Sequence, residues 1–355
     1  MLHTRLTREY ELELPFISAG MGFIALPELA SAVSNAGGLG LLGVGASPPP
    51  VTQAMIRAIK SQTSRPFGVN LIVEETAFGP LTTDEHIEIC VMEGIRVVVF
   101  FWNLPPARWI ERLRGAGAKV WMQVGSVEQA RRAVQAGADA IIAQGSEAGG
   151  HNRSVLPLSS LVPAFVDAIA PTPVIAAGGI ADGRTVAAAL ALGAEAVYVG
   201  TRMVASSEAN AHEEYKRRIV AAAAEDIVRT SIFGPEWPDQ PMSVIRNRVV
   251  GEWEGQGDHT PPAPDPPQLI GRTLLGGQEY PMLKFSAILL TPETIGDFEE
   301  MCLASGESAG LVRQIKPAAE IVHEMMNEAR RVIEGRLAAM LHHGGHGDHG
   351  GNNFS

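Results

Sequence analysis

A glycine-rich segment that ends in a histidine carries the clearest chemical signal of this chain. It reads QGSEAGGH over residues 144–151, and Gly149 and Gly150 come directly before His151. Glycine lets the backbone approach a bound molecule closely because it has no side chain. An imidazole that titrates near neutrality can remove a proton from a weakly acidic carbon or, when protonated, hold an anion. We therefore predict that His151 is the catalytic residue of a ligand site.

Two further glycine turns follow apolar runs later in the chain. Gly178 and Gly179 end PVIAAGG, while Gly200 and Thr201 follow AVYV. Backbone N–H groups at such turns, together with the start of a helix, are suited to bind a phosphate group. The turns predict a phosphate cradle, with tight strand-to-helix turns as the alternative interpretation.

The segments that position these turns alternate between helical and strand-like patterns. Helix-like segments that end in glycine precede apolar, β-branched runs without alternation, which is typical of parallel strands covered on both faces. The strand-like runs lie at residues 15–18, 39–43, 67–71, 96–101, 119–123, 139–144, 173–177 and 196–200. Eight such strands in βα units predict a closed α/β fold, the (β/α)₈ TIM barrel. A doubly wound nucleotide-binding sheet is a weaker alternative, because GGLGLLG at 37–43 does not follow its first strand.

The composition changes after the last of these strands. The barrel is predicted to span residues 1–225 and to be completed by C-terminal helices within 300–340. Residues 226–299 are rich in Pro, Gly and Trp, which predicts an inserted lid or cap subdomain of loops and short helices. The His- and Gly-rich tail, 341–355, is predicted to be disordered, and we expect no specific metal site in it.

Charge and cysteine content narrow the possible partners. There are 28 Lys and Arg against 39 Asp and Glu, so nucleic acid is an unsuitable partner. Cys90 and Cys302 lack CxxC spacing and are expected to be buried thiols. No segment reaches the roughly 18 apolar residues of a membrane span, and the charged start lacks a signal-peptide core, so we expect a cytoplasmic protein. The sequence leaves the oligomeric state open, including a homodimer.

The motifs together resemble one enzyme family. FGVN, QGSEAGGH, PVIAAGGIADG and AVYVGTRM occur in this order, with NAGGLGLLG before them and SGESAGL after them. From about residue 5 to residue 330 the chain resembles the flavin-dependent nitronate monooxygenases (2-nitropropane dioxygenases), a family that includes the related flavin enoyl-acyl-carrier-protein reductases. The resemblance implies a (β/α)₈ barrel that holds FMN, with a smaller domain, and a small-molecule substrate together with O₂.

The resemblance also implies which residues contact the cofactor. The FMN-binding residues implied are Gly20, Met21, Asn70, Gln123, Gln144, Gly149, Gly150, Gly178, Gly179, Tyr198, Val199, Gly200 and Thr201. The family's active-site histidine falls on His151, with its imidazole over the substrate face of the flavin ring. Glu147 either orients this loop or shifts the pKa of His151, or it is a solvent-facing turn residue.

The resemblance leaves two activities open. The first is oxidation of alkyl nitronates, or of nitroalkanes, by O₂ to a carbonyl compound and nitrite. The second is NAD(P)H-dependent reduction of an enoyl-acyl-carrier protein, because residues 206–219 resemble that branch and Lys216, Arg217 and Arg218 offer a basic patch or a solvated helix face. A barrel that binds phosphorylated metabolites without redox chemistry is a third possibility, and it would be colourless.

Some residues depart from the family pattern. The first strand ends in SAGMG where many relatives have Gln or Pro, Arg153 stands where Gly is common, and Glu307 stands where Gln is usual. These departures leave the substrate open. The large side chains of residues 100–103 wall a substrate pocket, fill the top of the barrel or pack under the lid.

Overall fold

Strands and helices alternate along the chain as the sequence predicts. The computed structural model describes residues 2–77, 79–275 and 277–342. Within these residues the strands are β1 Phe16–Ser18, β2 Gly40–Gly43, β3 Phe67–Val73, β4 Glu75–Thr76, β5 Gly79–Pro80, β6 Val97–Trp102, β7 Lys119–Val124, β8 Ala140–Gln144, β9 Gly150–His151, β10 Val174–Ala177, β11 Ala196–Val199, β12 Ile227–Thr230, β13 Met242–Ile245, β14 Leu269–Leu275, β15 Gln278–Leu283 and β16 Ile295–Gly296. The α-helices are α1 Arg5–Tyr10, α2 Pro27–Asn35, α3 Pro49–Gln62, α4 Asp84–Met92, α5 Ala107–Gly115, α6 Val127–Gln135, α7 Leu158–Ile169, α8 Gly183–Ala191, α9 Thr201–Val204, α10 Glu213–Ala221, α11 Arg248–Trp253, α12 Ala318–Arg331 and α13 Ala338–His342.

The predicted strands form a parallel barrel. Neighbouring strands pair in the order β1-β11-β10-β8-β7-β6-β3-β2, and every pairing in this sheet is parallel. The barrel closes between β1 and β2 through a parallel bridge of Ile17 with Leu39, and the Ser18 N–H donates to the Leu39 carbonyl at 3.1 Å. The α/β TIM-barrel prediction is confirmed, and each predicted strand lies within two residues of its observed bounds.

Alternation of side chains along the strands separates two parts of the core. Inward residues such as Val99, Trp121 and Tyr198 fill the barrel, while their neighbours in sequence pack against the surrounding helices. Helix α1 covers the amino-terminal end, where the Trp121 indole N–H donates to the Tyr10 hydroxyl at 2.9 Å. The amino-terminal end is therefore packed, and the opposite end is left for a ligand.

Helix α12 takes a place in the ring of barrel helices. It packs against α8 and α2, and the Gly183 N–H at the start of α8 donates to the Glu328 carboxylate at 2.7 Å. A Cβ on Gly183 would lie 2.3 Å from the backbone nitrogen of Ala329, so the two helices can approach this closely only at a glycine. Pro317 directly precedes α12, which agrees with the helix start expected from the sequence.

Residues 226–299 contain more strands than the sequence suggests. One small antiparallel sheet has the order β12-β13-β9 and the other has the order β15-β14-β16. These strands are two to seven residues long, and Pro281 interrupts the pattern of β15, so their signal is weak. The expectation of loops and short helices here was therefore incomplete. Because β9 contains His151, this segment is joined by backbone pairing to the predicted catalytic loop.

Other predictions from composition can be compared with the structure. Cys90 and Cys302 are both buried free thiols, as expected. None of the helices in the described residues is long and apolar enough to cross a membrane. Of the tail predicted to be disordered, residues 343–355 lie outside the described residues.

Candidate active site

A cavity of about 270 Å³ lies at the carboxyl ends of the barrel strands, between the barrel and residues 226–299. The sequence-predicted site residues that line it are Gly20, Met21, Asn70, Gln123, Gln144, Gly149, Gly150, His151, Gly178, Gly179, Tyr198, Gly200 and Thr201. Val199 is the exception, because its buried side chain packs on the outer side of β11 among residues that face the helices. Segments that are up to 181 residues apart in sequence therefore meet around one space.

The predicted phosphate cradle is built from backbone. Gly178 and Gly179 have φ of 103° and 70°, values that residues with a side chain rarely adopt. The amides of Gly179 and Ile180 donate to no acceptor in the described part of the chain, and α9 begins at Thr201 beside them. Free N–H groups that face a cavity suit an anionic ligand such as a phosphate.

Gly149 has a neighbour that the sequence does not reveal. A Cβ on Gly149 would lie 2.4 Å from the backbone nitrogen of Gly306, so the two chain segments touch at this glycine. The Gly306 N–H in turn donates to the Thr201 hydroxyl at 3.0 Å. Gly149 therefore allows the backbone of residue 306 to approach closely. This role is separate from the expected approach of Gly149 to a ligand.

Amide and phenol groups form the floor of the cavity. The Gly20 N–H donates to the Tyr198 hydroxyl at 3.1 Å, and burial raises the pKa of this phenol, which stays protonated. Asn70 is buried, and its Oδ1 has no hydrogen-bond partner among the described residues. The Gln144 side chain donates to the backbone carbonyl of His151 at 3.2 Å. An unpaired acceptor in such a place fits a ligand that carries an N–H group, as a flavin ring does.

The cavity carries little positive charge. No lysine or arginine is among the described residues that line it. A bound phosphate would depend on backbone N–H groups and on the short helix α9 rather than on a cationic side chain. The carboxyl group of Glu307 has a raised pKa because of its burial and the negative charge of Glu147.

Glu147 orients the loop after β8. Its carboxylate oxygens accept from the Leu158 N–H at 2.9 Å and 3.0 Å, at the start of α7. These hydrogen bonds favour the loop-orienting interpretation of Glu147, whose side chain is half-buried. The perturbed pKa of His151 has other causes, which are its burial and the charge of Arg153.

His151 lies under aromatic side chains at the edge of the cavity. Its ring centroid is 4.3 Å from that of Trp237 and 5.7 Å from that of Trp102. Its Nε2 atom is buried without a hydrogen-bond partner among the described residues. Burial, with the charge of Arg153 as the second cause, lowers the pKa of His151 to about 4. The expectation that this imidazole titrates near neutrality is therefore wrong, and His151 is neutral at pH 7.

The large residues that end β6 have different roles. Phe100 is buried between the barrel and its helices, whereas Phe101 lines the cavity. Trp102 has a φ of 86°, a strained value for a large residue, and the Arg153 guanidinium lies 3.8 Å from its ring centre. Arg153 also donates to the Asn103 side chain at 3.1 Å. Arg153, which departs from the family pattern, therefore packs against an aromatic cluster, which consists of Trp102, His151 and Trp237.

Part of the cavity wall comes from residues that the sequence did not single out. From the segment 226–299 these are Glu236, Trp237, Met242, Ala287, Ile288 and Leu289. The tryptophan-containing stretch FGPEWPDQP indicated a lid, but nothing in it showed which side chains face the barrel. Backbone pairing of Met242 with His151 brings this wall to the site.

The fold and the site define a (β/α)₈ barrel protein whose small-molecule cavity lies between the strand ends and an inserted segment. The family model described as nitronate monooxygenase matches residues 3–328. The chain therefore belongs to the nitronate monooxygenase family, which indicates an oxidoreductase.

Individual relatives carry different names. A protein of Mycobacterium tuberculosis named (3aS,4S,5R,7aS)-5-hydroxy-7a-methyl-1-oxo-octahydro-1H-indene-4-carboxyl-CoA dehydrogenase is 38% identical, over 71% of this chain and 69% of that protein. A Staphylococcus aureus protein named "probable nitronate monooxygenase" is 31% identical, over 93% of this chain and 98% of that protein.

Solved structures resemble this chain over nearly its full length. FabK from Thermotoga maritima is 34% identical with a TM-score of 0.78, over 96% of this chain and 100% of that one. A nitroalkane oxidase from Streptomyces ansochromogenes is 26% identical with a TM-score of 0.75, over 94% of this chain and 99% of that one.

Proposed function

We propose that this protein is an FMN-dependent oxidoreductase that oxidises alkyl nitronates with O₂ to a carbonyl compound and nitrite. The observation that carries the proposal is the half-buried imidazole of His151, which has a lowered pKa and a buried Nε2 without a partner among the described residues, and which lines a cavity whose other wall is made of glycine turns. Membership of the nitronate monooxygenase family and the names of two relatives support the reaction type.

The residues on the glycine side would hold the cofactor. Asn70 would accept from an N–H of the flavin ring, and the backbone around Gly179 and Thr201 would bind the phosphate. Bound FMN would supply the electron-transfer chemistry, while the protein positions the substrate and excludes water.

The charge state of His151 selects the form of the substrate. A base whose pKa is about 4 is too weak to remove a proton efficiently from a nitroalkane carbon at pH 7. A neutral imidazole with Nε2 protonated can instead donate a hydrogen bond to an oxygen of a substrate that is already ionised. We therefore propose the nitronate, rather than the neutral nitroalkane, as the substrate.

The reaction can be tested by its products. Purified protein is mixed in air with an alkyl nitronate or with the corresponding nitroalkane, and nitrite release and O₂ consumption are measured. We expect both signals from the nitronate and much slower nitrite release from the nitroalkane. Equal rates with the two forms would contradict the proposed state of His151, and the absence of nitrite from both would contradict the proposed reaction.

A second candidate is the NAD(P)H-dependent reduction of an enoyl thioester. The observation that favours it is the apolar cavity wall formed by Ile72, Leu81, Phe101, Ile288 and Leu289, which suits an acyl chain. The Mycobacterium tuberculosis relative is also named for a coenzyme A thioester. NAD(P)H consumption that depends on an added enoyl thioester would favour this activity over nitronate oxidation.

The predicted docking patch for an acyl-carrier protein is not supported by the geometry. Lys216 is buried, and both Arg217 and Arg218 form ion pairs with Glu214. The triplet is therefore not an unpaired basic surface. A thioester of a small carrier suits this chain better than one of an acidic protein.

A further inference from the structure

Trp237 packs against His151 at the edge of the cavity, and two polar atoms of the aromatic cluster, His151 Nε2 and Trp102 Nε1, are buried without a hydrogen-bond partner among the described residues. The Trp237 indole lies 4.3 Å, centroid to centroid, from the His151 ring and lines the cavity beside it. Only 9% of Trp237 is exposed, and the His151 Nε2 atom is buried without a partner among the described residues. Trp237 is the nearer of the two indoles that contact the His151 ring, so its position bears directly on access to Nε2.

Trp102 and Arg153 extend the contacts of the indole. The Trp237 centroid lies 4.5 Å from that of Trp102 in an edge-on arrangement with an angle of 65°, and the Arg153 guanidinium lies 3.8 Å from the centre of the Trp102 ring. Arg153 also donates to the Trp102 backbone carbonyl at 3.2 Å. Trp102, Trp237 and His151 therefore contact one another, and Arg153 packs against Trp102.

The backbone that carries Trp237 is fixed at several points. The Trp237 N–H donates to the Gly234 carbonyl at 2.9 Å, and Gly234 has a φ of 132°. The carboxylate of Glu236 accepts from the Ser286 hydroxyl at 2.6 Å and from the Ala287 N–H at 3.0 Å. Because the turn is tied down, the indole is the part that can move with the fewest broken hydrogen bonds.

The closed arrangement has a cost that a ligand can remove. A buried polar atom without a partner is unfavourable, and a substrate oxygen that pairs with His151 Nε2 would offset the displacement of the indole. A molecule that brings no such oxygen gains nothing from moving Trp237.

We propose that Trp237 determines substrate specificity: its indole closes over His151 and restricts access to molecules that present an oxygen to Nε2 and are small enough to fit beside the displaced indole. This inference rests on the proposed function only in taking His151 as the group that contacts the substrate. It predicts that removing the indole uncovers His151 and relaxes the limit on size.

The covering of His151 can be measured without any activity. Diethyl pyrocarbonate acylates accessible neutral imidazoles, and mass spectrometry of peptides locates the acyl group. In the full-length protein, Trp237→Ala should raise the acylation rate of His151 by at least about tenfold, relative to exposed His3 in the same sample. Trp237→Phe, which keeps a ring in place, should remain near the wild-type rate.

Trp253 is the matched control. It belongs to α11 in the same inserted segment and packs edge-on against Phe285 at 5.3 Å, away from the cavity lining. Trp253→Ala should leave the acylation of His151 unchanged. An unchanged rate in Trp237→Ala, or an equal rise in Trp253→Ala, would overturn the proposal, because neither result is compatible with a specific cover.

Kinetics then test specificity. Among linear and branched alkyl nitronates, Trp237→Ala should improve kcat/KM for the bulkiest relative to the smallest by roughly tenfold or more, mainly through a lower KM. An unchanged ranking would contradict the size limit. If the wild-type protein oxidises none of these compounds, the proposed function fails, whereas the acylation rates still decide whether Trp237 covers His151.

Discussion

The two walls of the cavity are built in different ways. The proposed cofactor wall, formed by Gly20, Gly149, the 178–179 turn and the 200–201 turn, presents backbone and small polar groups. The proposed substrate wall, formed by His151 and Trp237 with apolar residues of the inserted segment, presents large side chains. The first wall depends on the absence of side chains and the second depends on their presence, so substitutions should affect the two walls in opposite ways.

Removing the imidazole should distinguish the roles of the two walls most clearly. We expect His151→Asn to lower turnover by roughly 10²- to 10⁴-fold, the usual range for a lost acid–base or hydrogen-bonding group. Bound flavin should be retained, since the glycine turns are unchanged. The exposed His259 supplies the control variant His259→Asn. Turnover is followed as nitrite release and flavin content by absorbance; a normal rate in His151→Asn would remove this residue from the mechanism.

The burial of His151 should also appear in the stability of the protein. Its pKa is about 4 when folded and about 6.5 when unfolded, so between these values the unfolded state binds more protons. The contribution of the neutral His151 to the free energy of unfolding is therefore complete above pH 6.5. It is lost as the pH falls toward 4, because protonation of this histidine then favours the unfolded state. The contribution amounts to at most about 3–4 kcal/mol, since the pKa differs by about 2.5 units between the two states and each unit is worth about 1.36 kcal/mol.

Urea unfolding of the wild type and of His151→Asn across this pH range measures that contribution. The difference in the free energy of unfolding between the two proteins should change with pH only between about 4 and 6.5. A difference that stays constant over the range would mean that His151 is not buried in the neutral form.

Adjacent glycines test the cofactor wall. Gly149→Ala places a Cβ 2.4 Å from the Gly306 nitrogen, which should cost about 1–3 kcal/mol and weaken FMN binding as the loops separate. Gly150→Ala meets no atom within 4 Å of its Cβ, and only its φ of 68° opposes the change, at about 1–2 kcal/mol. Thermal unfolding and the FMN dissociation constant are measured for both. A weaker FMN affinity in Gly150→Ala than in Gly149→Ala would contradict the close approach described for Gly149.

The smallest expected effect concerns the support of the loop between the two walls. Glu147→Gln keeps an acceptor for the Leu158 N–H but removes the charge, so we expect a loss of about 1 kcal/mol in stability. The rate of nitronate oxidation should remain within about twofold, because Glu147 does not contribute to the pKa of His151. A large shift in the pH dependence of turnover would show that Glu147 acts on His151 after all.

The sequence predicted the two walls unequally for a physical reason. Glycine turns at strand ends are local features, so each barrel strand and the glycine turns that line the cavity could be located from short motifs. The proposed substrate wall depends on pairing of His151 in β9 with Met242 in β13, 91 positions later, and on aromatic contacts that no local pattern encodes. The lowered pKa of His151 was missed for the same reason, because its burial and the nearby charge of Arg153 depend on contacts that the sequence does not show.

The flavin spectrum of the purified protein under anaerobic conditions tests the central proposal most directly. The protein is titrated separately with an alkyl nitronate and with NADH or NADPH while the visible absorbance is recorded. We predict a bound flavin whose absorbance decreases on addition of the nitronate and stays unchanged with either nicotinamide. Rapid bleaching by NADH or NADPH alone would contradict nitronate oxidation and favour enoyl thioester reduction, and a colourless protein that binds no added FMN would contradict both.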